Sequence, residues 1–223
     1  MTSAVPAVDR LLDDGSGRRP RADARRNVER LVAAARQTAA AARQTAAGGG
    51  EITAHEIARR AGVGIGTFYR RVGSLEALLE AVLDEVLGEI VAKGDEGLAD
   101  PDPWAGFTAF ALSYIHLRNE LCDVNKRLGD LLDHSRAELR DRIRQLVERA
   151  QHSGVMRPDV TWQDVAFLMV AASSTGPHTL GLQAGARQWD RNLRIVLDGL
   201  RTPDPGALPG EPPGHFTDRP DYR

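Results

Sequence analysis

The sequence predicts an all-α protein, from three observations. Apolar residues recur at intervals of three and four along most of the chain. Cap residues and glycine or proline breaks fall between these runs, where helices should start and stop. No segment shows the apolar–polar alternation of a strand. About nine helices are expected, in a small N-terminal domain followed by a larger helical one.

Residues 1–20 are polar and interrupted by Pro6, Gly15, Gly17 and Pro20, which predicts a disordered tail. An alanine-rich helix is expected from Asp23 until Gly48-Gly49-Gly50 stops it. Thr53-Ala-His-Glu56 reads as a capping box: the Thr53 hydroxyl serves the Glu56 amide, and the Glu56 carboxylate reaches back. The helix it opens covers about 54–61. A short helix follows from Ile65, and a longer one follows Ser74 with Leu75, Leu78, Leu79, Val82, Val86 and Ile90 on one face.

Lys93 to Pro103 is rich in glycine, proline and acid and reads as a boundary. Beyond it Trp104, Phe107, Phe110, Ala111, Tyr114 and Ile115 resume helical spacing. Further helices are predicted near 123–132, 136–152, 162–174 and 187–201, the third of these capped by Thr161. Six prolines and three glycines in residues 202–223 predict a disordered C-terminal tail. The expected domains are therefore 21–92 and 101–201, between tails at 1–20 and 202–223.

With 223 residues, 42% of them hydrophobic, the chain can bury a substantial core. No apolar run is long enough to cross a membrane, and the first residues lack the pattern of a secretory signal. Cys122 is the sole cysteine, so neither an internal disulfide nor a zinc quartet is expected. A soluble, cytoplasmic protein without a cofactor or metal is the resulting expectation. The net charge of −2 hides an asymmetry. Residues 18–71 hold twelve arginines against four acids, a net +8, which leaves −10 for the remainder. A basic segment joined to an acidic one suits a polyanion-binding module with a second function attached; a merely solvated charged face is the plainer alternative.

Within the basic segment, AGVGIGTFYRR (61–71) places three glycines in five positions between helical runs. Gly62 suits the left-handed stop of the preceding helix, and Val63 plugs the turn. Gly64 can cap the next helix. Gly66 then leaves its first turn bare, so that backbone can approach a partner surface beside Thr67 and Tyr69. This is the layout of a helix-turn-helix that presents a helix N-terminus to DNA. A nucleotide-binding glycine loop would have to follow a buried strand, whereas this one follows a charged helix.

RADARRNVERLVAAA (21–35) and ITAHEIARRAGVGIGTFYRRVGSLEALLEAV (52–82) resemble the N-terminal domain of the TetR family of bacterial repressors. GVMRPDVTWQDVAFLM and RNLRIVLDGLR resemble the regulatory domain of one TetR subfamily, and the similarity covers about 21–201. It implies a homodimer that binds a near-palindromic, double-stranded DNA operator, with recognition helices in successive major grooves. A small-molecule effector in the larger domain would move the two heads apart. The positions matching the DNA-facing motif are Thr53, Gly64, Ile65, Gly66, Thr67, Tyr69 and Arg70. Thr53 and Tyr69 are expected on phosphate, Thr67 and Arg70 on base edges. Phe68 and Val72 match buried positions. Arg59 and Arg60 fit a solvated face or a contact equally; Arg18, Arg19 and Arg21 fit either a minor-groove arm or no contact.

Some features depart from the family. AARQTAA at 34–40 repeats at 41–47, so that either the first helix is longer by about 10 Å, the preferred reading, or the extra copy bulges out before Gly48. The family's usual leucine-phenylalanine pair under the helix-turn-helix is replaced by Thr38-Ala39 or Thr45-Ala46, which thins that core. Leu75 stands where a cation is usual, and Val72-Gly73 replaces a common Phe-Pro. The salt dependence of operator binding should then be shallower by one phosphate contact.

In the larger domain, Phe107, Phe110, Tyr114, Leu117, Leu128, Leu131, Phe167 and Val170 are the candidate effector-pocket residues, with plain core as the alternative for each. Trp189, Leu193, Val196, Leu197 and Leu200 suit a four-helix dimer interface with 162–174. His116/Glu120 and His134/Glu138 have helical i,i+4 spacing but no third ligand, and no nucleophile motif points to an enzyme. A ligand-responsive repressor is the leading reading. The alternative is a helical small-molecule-binding protein whose DNA head has decayed.

Overall fold

A computed structural model describes residues 6–13, 22–44, 52–120, 133–173, 178–185, 187–201 and 203–214. Nine helices lie among them: α1 (Ala7–Leu12), α2 (Ala22–Gln44), α3 (Ala54–Ala61), α4 (Ile65–Val72), α5 (Leu75–Ala99), α6 (Pro103–Glu120), α7 (Asp133–His152), α8 (Trp162–Ser173) and α9 (Gln188–Leu200). Two short strands, β1 (His178–Thr179) and β2 (Leu182–Gln183), pair antiparallel with Thr179 opposite Leu182. The period-2 signal of a strand needs more than two residues, so this hairpin left no trace in the pattern. The fold is all-α. The helix expected at 123–132 lies outside the described residues.

The chain divides into two compact units. The first takes residues 1–92 and 116–137, the second 93–115 and 138–223. In the first, α2 packs on α3 and α4. Val28, Leu31 and Ala35 of α2, Ile57 and Ala58 of α3, Phe68 of α4, and Leu78, Leu79 and Val82 of α5 are buried. Each large side chain among them contributes about 1.5–3 kcal/mol by leaving water. Ala58 is small enough for close helix packing, as α2 and α3 require. Thr38 and Ala39, the candidate pair in the first AARQTAA copy, are buried too. The Thr38 hydroxyl donates to the Ala34 carbonyl at 2.7 Å, which satisfies it inside the helix. Helix α2 continues into the second copy as far as Gln44; Thr45-Ala46 lies outside the described residues. Leu75, at the position usual for a cation, is buried at the start of α5.

The N-terminal residues correct an expectation. Residues 7–12, read as part of a disordered tail, form α1, and Ala7 is fully buried. The Ala7 amide donates to Glu85 Oε2 at 2.6 Å, Arg10 pairs with Asp84, and Asp9 lies 2.8 Å from Arg25. Six residues cannot hold a helix alone. Tertiary contacts with α2, α4 and α5 hold this one, and composition does not reveal them.

Helix α5 also overruns the boundary expected at Lys93. It continues to Ala99 because Gly94 and Gly97 are spaces for neighbours rather than breaks. A Cβ on Gly94 would stand 2.8 Å from Arg142 Cβ, and one on Gly97 2.7 Å from the Gly106 carbonyl oxygen. Arg149 donates to the carbonyls of Gly97 (3.1 Å) and Asp100, satisfying acceptors that the helix end exposes. Phe107, Phe110, Ile115, Leu146, Val147, Val165, Met169, Leu193, Leu197 and Leu200 are buried in the second unit. Thr161 and Asp164 form a reciprocal capping box: Thr161 N donates to Asp164 Oδ2 at 2.8 Å, and Asp164 N to Thr161 Oγ1 at 3.3 Å. Residues 203–214 carry no helix or strand. The Gly206 carbonyl accepts from Arg157 Nη2 at 3.1 Å.

Candidate nucleic-acid interface

Two caps and a turn shape the α3–α4 unit. Thr53 lies in extended backbone, and its hydroxyl accepts from the Glu56 amide at 3.2 Å, opening α3. The second half of the expected capping box is absent. The Glu56 carboxylate instead accepts from Arg59 at 2.8 Å (both Nε and Nη2) and from Arg60 Nε at 2.7 Å. Two guanidiniums outcompete one backbone amide for it. Hydrogen bonding from Arg59, and then Arg60, holds the Glu56 carboxyl down to about 2. Arg59 and Arg60 are thus paired along α3.

At the far end of α3, Gly62 takes φ +65°, ψ +34°. Its amide donates to Arg59 O at 3.2 Å, and the Val63 amide to Ala58 O at 3.0 Å. Those two bonds are a Schellman stop, and the positive φ needs glycine. Gly64 caps α4 through its carbonyl, which accepts from Thr67 N (2.9 Å) and Phe68 N (3.0 Å). Gly73, at φ +74°, ψ −59°, ends α4 in a γ-turn that closes with Ser74 N donating to Val72 O at 2.8 Å. The Ser74 hydroxyl then caps α5 by accepting from Ala77 N at 3.0 Å.

Phe68 and Val72 anchor α4 in the core, and the opposite face stays open. Gly64 and Gly66 are exposed, Ile65 and Thr67 half-exposed, Arg70 exposed, and Tyr69 is 49% exposed. The Tyr69 ring stands edge-on to Phe68, with centroids 5.2 Å apart at 79°, so the core orients an outward tyrosine. Arg70 Nη2 donates to Thr67 Oγ1 at 3.1 Å, one turn back along the face. Six of the seven selected positions therefore share one helix and its cap. Thr53 is spent on capping α3 and stands half-buried.

Gly66 is the informative glycine. It is the second residue of α4, and an added Cβ would meet no described atom within 4 Å; the same space surrounds Gly64. Neither position shows a positive φ. Glycine inside a helix costs about 0.5–1 kcal/mol relative to alanine. No neighbour among the described residues requires that cost at Gly66, unlike at Gly94, Gly97 and Gly106.

Arg30 adds a cation that the motif spacing does not single out. Its Nη1 lies 3.9 Å from where a Cβ on Gly62 would be, beside the turn, and its guanidinium also bonds Asn27. With Arg26, Glu29 and Ala33 it lines an open depression of about 570 Å³. The available signal was the i,i+4 pair Arg26/Arg30 on α2. Arg18, Arg19 and Arg21 lie outside the described residues.

The effector-pocket set is only partly assembled. Phe107, Phe110 and Tyr114 share the buried face of α6, with Phe110 and Tyr114 centroids 6.2 Å apart. Leu117 and Val170 are half-buried; Leu128 and Leu131 lie outside the described residues. Phe167 is 65% exposed, which removes it from an internal pocket of the protomer. The inner stripe of α8 is Val165, Met169 and Ala172, and Phe167 projects from the other side. A similar correction applies to α9. Leu193, Leu197 and Leu200 form its inner face and are buried within the chain, leaving Ile195 outward.

Residues 38–82 match the family model described as bacterial regulatory proteins, tetR family, and 104–202 match the C-terminal domain of SbtR-like transcriptional regulators. No curated protein matches by sequence. A TetR transcriptional regulator of Streptomyces coelicolor superposes with TM-score 0.56 at 25% identity, covering 78% of this chain and 98% of that one. A TetR transcription regulatory protein of Mycobacterium vanbaalenii gives TM-score 0.54 at 28% identity, covering 81% and 98%. Two family matches in successive parts of the chain, these structural relatives and the helix-turn-helix geometry agree: the chain belongs to the TetR family of transcriptional regulators.

Proposed function

We propose that this regulator is a cytoplasmic repressor whose homodimer grips a palindromic operator through the N-terminal end of α4. The first compact unit, which holds α1 to α4 and α5 up to residue 92, is the DNA-reading head, and the second is the effector-binding and dimerisation part. The observation that carries the DNA reading is the bare first turn of α4: Gly64 and Gly66 are open on a face that also holds Thr67, Tyr69 and Arg70. A helix-destabilising glycine that the packing of the described residues does not use fits close approach of a duplex to the backbone.

Amides at the start of α4 and the Tyr69 hydroxyl suit phosphate, which sets register without reading sequence. Arg70 suits a guanine edge, and Thr67 sits beside it. Thr53, Gly64, Ile65 and Gly66 complete the surface. A small apolar effector held near Phe107, Phe110 and Tyr114 would favour an arrangement in which the two heads no longer match the operator. Reciprocity then requires DNA to weaken effector binding by the same factor. The activity is DNA binding, not catalysis.

A fluorescence-anisotropy titration against DNA flanking the protein's own gene tests this reading. Specific binding at moderate salt, lost in the Tyr69→Ala/Arg70→Ala double variant, is the expected result. Weak, sequence-blind binding by both proteins would contradict it and favour a ligand-binding protein with a decayed head.

A further inference from the structure

The β1–β2 hairpin lies between α8 and α9 and turns on Leu180-Gly181, with φ +52° and +76°. Positive φ at both central positions is the backbone of a type I′ turn, which favours asparagine-glycine. Leucine is a poor occupant, because its Cβ crowds the backbone in the left-handed region. Leu180 is the one non-glycine residue with positive φ among the described residues, and it is 95% exposed. Leu182, on the return strand, is 71% exposed. The chain therefore holds a bulky, almost fully exposed apolar side chain in strained backbone. Such outliers persist where they serve a function.

We infer that the hairpin is a dimerisation arm whose Leu180 and Leu182 pack on a second copy of this chain. The inference rests on the homodimer reading above and adds an element to it. Three features point to a second copy. The helices on either side of the hairpin pack on each other and carry outward apolar residues of their own: Phe167 and Leu168 on α8, and Ile195, 68% exposed, on α9. Ile195 is seven residues into α9, roughly 10 Å along the helix from the end that the hairpin leads into. These five side chains expose on the order of half of the roughly 800 Å² per partner that a specific interface buries. That matches the largest apolar patch of a typical monomer, which is often a functional one.

The outer face of α9 also carries both signs of charge, with Arg191 and Arg194 beside Asp190 and Asp198. A copy related by a two-fold axis can meet such a face without net repulsion, whereas a polyanion gains nothing there. Each hairpin substitution acts twice in a two-fold dimer, which doubles its effect on association.

The test is a sedimentation dilution series on full-length protein and its Leu180→Asn/Leu182→Ser variant. Asparagine suits the left-handed turn and both side chains are exposed, so the fold should be kept or improved. A purely local role predicts no change in association. The expected result is a wild-type dimer at micromolar concentration and a dimer Kd raised at least tenfold in the variant. A wild-type dimer with an unchanged variant Kd would overturn the arm and leave the homodimer reading standing. A wild-type monomer would overturn both. Hydrogen exchange of 178–185 in the wild type, above and below the dimer Kd, is a second readout that needs no variant. Protection confined to the dimer supports the arm, and equal exchange in both states rules it out.

Discussion

Arg70 Nη2 donates to Thr67 Oγ1 at 3.1 Å, so the two side chains proposed to read bases are coupled one helical turn apart on an exposed face. The bond holds the guanidinium forward over the bare start of α4, and at this exposure its strength is modest. Arg70→Ala should cost about 1–3 kcal/mol of operator binding and relax preference at one base pair. Thr67→Val, which keeps the shape and removes the acceptor, should weaken discrimination more than affinity. Binding titrations over a set of single-base operator variants check both.

Glu56 holds Arg59 and Arg60, and those bonds keep its carboxyl at about 2. The folded pKa lies below the ordinary carboxylate value, so the stabilisation is present above pH 4.5 and is lost as pH falls through about 2. Operator binding near neutral pH should therefore not depend on this group's titration. Glu56→Gln removes the carboxylate charge at all pH values and releases two guanidiniums. DNA affinity at low salt should rise, and each new phosphate contact should steepen the salt slope by about 0.9. Binding measured from low to moderate salt checks this.

Gly97 and Gly106 meet backbone to backbone. A Cβ on Gly106 would lie 2.1 Å from the Gly97 carbonyl oxygen, which is no flexible side-chain end. Gly106→Ala should destabilise the second unit by about 1–3 kcal/mol, the usual range for overpacking, or more if α5 and α6 are forced apart. Calorimetric melting checks this.

Gly62 fills a left-handed position with Arg30 beside it. Gly62→Ala should cost about 1–2 kcal/mol from backbone strain alone, since the space around the new Cβ is otherwise sufficient. Urea denaturation should show the loss as a lower midpoint with an unchanged slope.

Local chemistry made the α3–α4 unit legible. Thr53, Gly62 and Gly64 act on neighbours within four residues, so their spacing alone marks both helices. Long-range contacts explain most of what the sequence hid. Helix α1 depends on Glu85, 78 residues away from Ala7, and residues 94–99 stay helical because Arg142 and Gly106 occupy the room their glycines leave. The reciprocal box expected at Thr53–Glu56 is only half formed because Arg59 and Arg60 compete for the carboxylate, whereas the N-cap expected at Thr161 is a full reciprocal box with Asp164. On α8 and α9 apolar residues lie on more than one side, so periodicity could not decide that Leu193 faces inward while Phe167 and Ile195 face out.

The central claim is that duplex DNA lies against the start of α4, and one substitution tests it with opposite signs. Gly66→Ala adds a methyl group into open space in a regular helix, so the free protein should gain about 0.5–1 kcal/mol. The same methyl group should obstruct the duplex and weaken operator binding at least tenfold. Thermal melting and operator titration of this variant, in one buffer, measure both. A protein that melts higher and binds worse is the predicted result, and one that binds its operator as tightly as the wild type would contradict the account.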